Sequence, residues 1–227
     1  MVQKKKKIKR KEIQEDQLVT TFYKVEEFYE LHKQNIIIGV AAIAIIALAI
    51  IWYQNKKTED NQEATTELAK VIPLFEKGSY KKAVEGEPGT NLIGLKSIVE
   101  NYGNTEQGEF AKIYLADSYY YLGDYKNAKK YFEEYSGKSK LHKAAAYAGI
   151  AACYQKEGNF LEAANFYNKA ATVSKFNPLT PDYLLNAGIN FIKANKKDMA
   201  ATVLKKIKKQ FKTSAVAGEV DKYLAQI

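Results

Sequence analysis

The feature that most constrains this chain is an uncharged apolar run over residues 36–53, IIIGVAAIAIIALAIIWY. The run carries no polar side chain before Trp52 and Tyr53 at its end. At about 1.5 Å per residue, a helix of this length covers roughly 27 Å, close to the hydrocarbon thickness of a bilayer. A helix on the surface of a soluble protein keeps a polar face, and this run has none. The run therefore predicts one transmembrane helix, with Trp52 and Tyr53 as interfacial anchors.

A cleaved signal peptide is the alternative interpretation of the same run. Ala47-Leu48-Ala49 resembles the small-x-small pattern of a cleavage site. However, 35 residues precede the run, and the apolar residues continue past that point through Ile50 and Ile51. A signal peptide has a much shorter amino-terminal region. We therefore expect an uncleaved signal anchor.

The distribution of lysine and arginine predicts the orientation of the span. Only Lys56 and Lys57 follow the run closely, and acidic residues come directly after them. Basic residues flanking a span remain preferentially in the cytoplasm. We therefore expect residues 1–35 in the cytoplasm and residues 54–227 outside it. The basic residues before the run are Lys4, Lys5, Lys6, Lys7, Lys9, Arg10, Lys11, Lys24 and Lys33.

The residue types that carry catalysis or metal binding are scarce. Cys153 is the one cysteine, and with only His32 and His142 it cannot complete a zinc site. Arg10 is the one arginine, which argues against specific recognition of nucleic acid by guanidinium groups. Gly-rich phosphate loops and nucleophile motifs are absent from the sequence. We expect no catalytic, cofactor or metal site, and no enzymatic activity.

The expected cytoplasmic segment, residues 1–35, is predicted to be a basic tail followed by an amphipathic helix. Leu18, Phe22, Val25 and Tyr29 recur at helical spacing, opposite an acidic face. An acidic face is unsuited to an anionic lipid surface. The helix is therefore expected to continue into the span or to pack on a protein.

The rest of the chain contains an internal repeat. Residues 114–135 align with residues 149–170, so that Gly123 and Gly158 match 35 positions apart. Small and aromatic residues match in the same register. The further matched pairs are Ala116 with Ala151, Tyr119 with Tyr154, Tyr125 with Phe160, Ala128 with Ala163, and Phe132 with Tyr167. A weaker copy follows, with Gly188, Phe191, Asn195, Ala200 and Leu204, and a degenerate copy precedes, with Leu74, Gly78, Tyr80 and Ala83.

Each unit resembles a tetratricopeptide repeat, a helix–turn–helix of about 34 residues. Glycine supplies the tight turn, small residues let the helices approach, and aromatic residues fill the space between repeats. The predicted fold is all-α, with one amino-terminal transmembrane helix followed by a tetratricopeptide-like α-solenoid. We expect residues 54–63 to form a polar linker and residues 64–227 to form the extracytoplasmic domain. Residues 214–227 are expected to form a capping helix that begins at Ser214.

The whole layout resembles the YfgM-like ancillary subunits of the bacterial Sec translocon. The segment that carries this resemblance is residues 95–135, LKSIVENYGNTEQGEFAKIYLADSYYYLGDYKNAKKYFEEY. The resemblance implies a single-span protein of the inner membrane with a periplasmic domain. It also implies partners among translocon subunits, periplasmic folding factors and newly exported chains.

The first helix of each repeat is expected to line a concave face that binds protein. This face is aromatic and poor in charge, which suits an apolar peptide. One alternative is that several of these tyrosines only pack between repeats. A separate alternative function is a structural scaffold of another cell-envelope complex without client binding. The predicted protein-binding residues are Ile113, Tyr114, Asp117, Tyr120, Tyr121, Leu185, Asn186 and Ile189.

Overall fold

The computed structural model describes residues 10–227, and their side chains from residue 19 onward. Residues 4–9 of the basic tail and the side chain of Leu18 therefore lie outside the described part. The helices are α1 (Arg10–Glu76), α2 (Tyr80–Glu85), α3 (Leu95–Tyr102), α4 (Glu106–Tyr121), α5 (Tyr125–Glu133), α6 (Lys140–Lys156), α7 (Phe160–Thr172), α8 (Thr180–Lys193), α9 (Lys197–Gln210) and α10 (Val220–Leu224).

The chain divides into two compact units, of which one ends at Lys56 and the other runs from Lys57 to Ile227. Within the described residues, the first unit is the amino-terminal part of α1. By length and composition, this helix contains a stretch that is apolar enough to cross a membrane, and none of that stretch is buried. Its apolar side chains are exposed; Ile45, for example, is 67% exposed and Leu48 is 66% exposed. The run over residues 36–53 is therefore a candidate membrane span.

The residues predicted as a polar linker, 54–63, are helical and belong to α1. The segment is rich in Lys, Glu and Gln, which favour a helix, and it contains neither glycine nor proline. The predicted polar linker is thus a helical one. Asn61 in this segment belongs to the second unit, and its side-chain oxygen accepts a hydrogen bond from the Gln107 amide at 2.9 Å.

The predicted turns between paired helices are confirmed. Gly123 and Gly158 have φ of 80° and 78°, and Asn195 takes the same left-handed region with φ of 56°. Glycine adopts this region without the steric cost of a Cβ atom. In the two glycine turns, the side chain of the next residue then caps the second helix. The Asp124 side chain accepts from the Asn127 amide at 3.0 Å, and the Asn159 side chain accepts from the Glu162 amide.

The small residues of the repeat lie where helices approach one another. Ala128, Ala163 and Ala200 are fully buried, as the repeat pattern predicted. On α6, a Cβ atom added to Gly149 would overlap the ring of Phe132. The core of the second unit is thus built from alternating small and large side chains between successive helices.

The carboxy-terminal segment differs from the predicted single helix. It forms a 3-10 helix over Ala215–Glu219, and then the short α10. Gly218 lies in the middle of this stretch, and glycine disfavours a regular helix. The predicted capping role of Ser214 is wrong, because its hydroxyl accepts no hydrogen bond from the helix start and is buried without a partner.

Candidate binding face

Helix α4 places a group of aromatic side chains against the preceding elements. Tyr114 meets the Phe75 ring edge-on at 5.0 Å between centroids, and Tyr121 stacks on Tyr80 at 4.6 Å. Phe75 lies at the end of α1 and Tyr80 at the start of α2. Such ring pairs add about 0.5–1.5 kcal/mol each beyond the burial of their area. The degenerate first repeat therefore holds the rings of α4 in fixed positions.

The aromatic cluster is exposed to solvent near the carboxy-terminal end of α4. Tyr121 is 57% exposed although it stacks on Tyr80. Tyr120 is half-buried and contacts the rings of Tyr121 and Tyr125 at 5.5 and 5.6 Å. We call this surface the aromatic face. It comprises Phe75, Tyr80, Tyr114, Asp117, Tyr120 and Tyr121.

Asp117 is the carboxylate of the aromatic face. It follows Tyr114 by three residues and precedes Tyr121 by four, so the three side chains share one side of α4. Burial raises the pKa of Asp117 from its ordinary 3.8 to about 7. Burial also raises the pKa of Tyr114 and of Tyr120, and the nearby charge of Asp117 raises both further. The carboxyl group therefore sits in a poorly solvated place beside phenol groups.

A polar network occupies the corresponding positions of the later repeats. The Gln155 side-chain oxygen accepts from the Asn190 amide at 3.2 Å and from the Tyr167 hydroxyl at 3.4 Å. Asn190 is fully buried, and its own side-chain oxygen has no partner. Asn186 donates to the Asp182 carbonyl of its own helix at 3.0 Å. This network joins α6, α7 and α8 by polar contacts, whereas the aromatic face consists mainly of rings.

Two of the predicted binding residues are buried in the core. Ile113 is 8% exposed within the cluster of α4, α5 and α6, and Leu185 is 7% exposed within the carboxy-terminal core. Ile189 is half-buried against that same core. Ile113 and Leu185 therefore offer little surface to a partner, and we leave them out of the binding face. Tyr114, Asp117, Tyr120, Tyr121 and Asn186 keep partial exposure.

The contribution of Phe75 and Tyr80 to this face was not predicted from the sequence. A signal was present, because Tyr80 belongs to the degenerate repeat and Phe75 stands five residues before it. The packing of this pair on α4 is a tertiary contact, which the repeat spacing does not specify. For the polar network, the sequence predicted only a packing role for Tyr167 and no role for Asn190.

Other reactive groups lie outside this face. Cys153 is fully buried, and burial raises the pKa of its thiol to about 12. A thiol of this kind is a poor nucleophile at neutral pH. Among the residues that the structure describes, no group of three or more His, Cys, Asp or Glu side chains is placed to hold a metal ion.

A separate concavity of about 370 Å³ lies between α5, α6 and α7. Its rim includes Lys169, whose ammonium lies 4.2 Å from the centroid of the Tyr147 ring. The basic group is thus already engaged by an aromatic partner within the domain. The lining residues are Phe132, Glu133, Tyr135, Lys143, Ala146, Tyr147, Ile150, Phe166 and Lys169.

Two of the helix pairs in the structure also match a known repeat family by sequence. Residues 111–138 and 182–214 match the tetratricopeptide repeat family. The chain contains tetratricopeptide repeats. The matched residues cover most of α4–α5 and α8–α9, and the intervening pair α6–α7 has the same glycine turn as the first tetratricopeptide repeat. A search of curated proteins found no match to the chain.

Proposed function

We propose that the protein is a membrane-anchored tetratricopeptide adaptor, with a chaperone role, at the bacterial Sec translocon. In this proposal residues 36–53 cross the inner membrane, with the amino terminus in the cytoplasm and residues 54–227 in the periplasm. The domain binds translocon subunits, periplasmic folding factors or newly exported chains. The resemblance to YfgM-like subunits and the distribution of lysine around residues 36–53 support this placement.

One observation carries the binding role, namely the open aromatic face on α4. Tyrosines that are held by neighbouring rings lose little conformational freedom when a partner covers them. Tyr121 combines such a stacked arrangement with 57% exposure. Tetratricopeptide repeats typically act as adaptors rather than as enzymes, and a preformed surface lowers the ordering cost of binding a partner.

Co-purification of the full-length protein from mild detergent tests the proposal. A Tyr120→Ala/Tyr121→Ala variant removes two anchors of the face, and each of the best anchors contributes about 2 kcal/mol or more to such binding. We expect translocon subunits and exported chains to accompany the native protein and to be lost from this variant. Phe176→Ala is the matched control, because Phe176 is 95% exposed and lies in the segment between α7 and α8.

The co-purification experiment can also contradict the proposal, provided that the double variant is folded. Circular dichroism must first establish that the double variant keeps its helices, since Tyr121 also packs on Tyr80. If the folded variant recovers the same partners as the native protein, the aromatic face is not the binding surface. Recovery of a fixed assembly without exported chains would favour the structural scaffold instead.

A further inference from the structure

Asp117, which is partly buried, differs from Glu109, the buried carboxylate of α4. Glu109, two turns earlier on the same helix, bonds to Lys112 at 2.8 Å and accepts from the Ser136 hydroxyl at 2.6 Å. Among the hydrogen bonds and ion pairs of the described residues, none involves the Asp117 carboxyl. A desolvated carboxylate without a donor costs free energy. Asp117 therefore has an unused capacity to accept hydrogen bonds and to neutralise a positive charge.

Among the described residues, the one basic group near this position is already engaged elsewhere. Asp117 shares α4 with tyrosines, and α6 contributes the Cys153 thiol, whose pKa is raised chiefly by burial, lowered by Lys129, and raised further by Glu157 and Asp117. The Lys129 ammonium is bound by both oxygens of Glu157. The charge of Glu76 in α1 also reaches Tyr114 and is negative. Within the described part of the chain, no basic group lowers the pKa of Asp117, which burial raises. The charge of Asp117 acts on Tyr114, Tyr120 and Cys153. The other titratable groups that act on these three are Glu76, Tyr121, Tyr125, Lys129 and Glu157.

The domain already contains the arrangement that would satisfy Asp117. Between α5 and α6, the Lys129 ammonium bonds both oxygens of Glu157, at 2.8 and 2.6 Å. The same ammonium lies 4.3 Å from the centroid of the Tyr154 ring. A carboxylate and a tyrosine ring together thus hold one lysine. The aromatic face offers a carboxylate and several tyrosine rings, and lacks only the cation.

We propose that the aromatic face binds polypeptide segments that present a lysine or arginine side chain beside apolar residues. In this arrangement Asp117 is the counter-ion of the basic group, and the rings of Tyr114, Tyr120 and Tyr121 cover its aliphatic stem. The inference rests on the proposed function, since it specifies the chemistry of the partner at the same face. It adds a selectivity for basic over neutral or acidic segments that an apolar groove alone lacks.

The selectivity depends on pH in a defined direction. Because burial raises the pKa of free Asp117 to about 7, a large share of the carboxyl groups is neutral near that pH. A basic side chain favours the ionised form, so its binding releases a proton. Affinity for a basic segment is therefore expected to rise as pH increases from about 6 to about 8, by about tenfold. Affinity for a neutral segment should lack this rise.

Fluorescence anisotropy with defined peptides tests the inference on the full-length protein in nanodiscs of zwitterionic lipid. The probes are three fluorescein-labelled peptides, identical except for a central Lys, Gln or Glu between leucine residues. A hydrogen-bonded charge contributes enough that the Lys peptide should bind at least about tenfold more tightly than the Gln peptide at about pH 8. Empty nanodiscs correct for adsorption to lipid.

Asp117→Asn removes the charge and keeps the shape of the side chain. We expect this variant to lose the preference for Lys over Gln and the pH dependence, while its affinity for the Gln peptide persists. Asp198→Asn is the matched control, because it removes the same charge from an exposed position at the start of α9. This control should keep the native preference.

The possible results separate this inference from the proposed function. If Asp117→Asn keeps the preference for Lys while Tyr120→Ala/Tyr121→Ala weakens all three peptides, the cation site is refuted and the binding face stands. Equal binding of the Lys and Gln peptides to the native protein refutes the cation site directly. If none of the peptides binds the native protein, the cation site fails, and the co-purification described above decides on the face by itself.

Discussion

The free energy of unfolding should depend on pH through the carboxyl group of Asp117, which has no hydrogen-bond partner among the described residues. Its pKa is raised by burial from 3.8 to about 7 in the folded state. A carboxyl group with a raised pKa is accommodated when it is protonated and costs stability once it ionises. The cost therefore appears as pH rises above about 4 and is complete above about 7. Asp117→Asn removes a group that must ionise, so it should stabilise the protein at neutral pH.

The size of this effect follows from the same pKa difference. At about 1.36 kcal/mol per pKa unit, the rise from 3.8 to about 7 sets a ceiling of about 4 kcal/mol. The carboxyl is only partly buried, so solvent screening reduces this figure, and we expect about 2 kcal/mol at about pH 8. At about pH 4.5 the same linkage leaves about half of this reduced gain.

Urea unfolding of the full-length protein in a nonionic detergent, followed by circular dichroism, measures this gain at both pH values. Asp198→Asn provides the control and should change stability by no more than about 0.5 kcal/mol at either pH. The reasoning is refuted if Asp117→Asn destabilises the protein at about pH 8, since the native carboxylate would then be well paired. A gain of equal size at both pH values would also contradict it.

Three further predictions concern packing and topology. Gly149→Ala should destabilise the domain by about 1–2 kcal/mol, because the new methyl meets the Phe132 ring, and adding Phe132→Leu should recover part of this loss in the same unfolding assay. Ala163→Leu should lower stability by about 1–3 kcal/mol at a fully buried position, whereas Asn165→Leu, exposed on the same helix, should not. Protease added to intact spheroplasts should digest residues 54–227, and complete protection would contradict the proposed orientation.

The sequence was sufficient for the features that depend on local chemistry. The 35-residue spacing of Gly123 and Gly158 predicted two turns with positive φ, because only residues such as glycine adopt that geometry without strain. Buried alanines at matching positions followed from the same register. The uncharged run over residues 36–53 needed only length and composition to mark it as a candidate span.

The composition of the candidate face was harder to predict, for two physical reasons. Neighbouring residues on a helix differ in direction by about 100°, and α4 carries apolar or aromatic residues on several sides. Ile113 and Tyr114 were therefore both assigned to the face, although Ile113 is buried in the core. The second reason is that ring contacts such as Phe75 with Tyr114 join elements far apart in sequence, and no spacing rule specifies them.

Photocrosslinking in living cells tests the central proposal, binding of protein partners at the aromatic face, most directly. A photoreactive phenylalanine analogue replaces Tyr121, and the control carries the same analogue at Phe176, which is still more exposed. We predict crosslinks from position 121 to translocon subunits and exported chains, and few from position 176. An absence of crosslinks at position 121, or the same products from both positions, would contradict a specific binding role for this face.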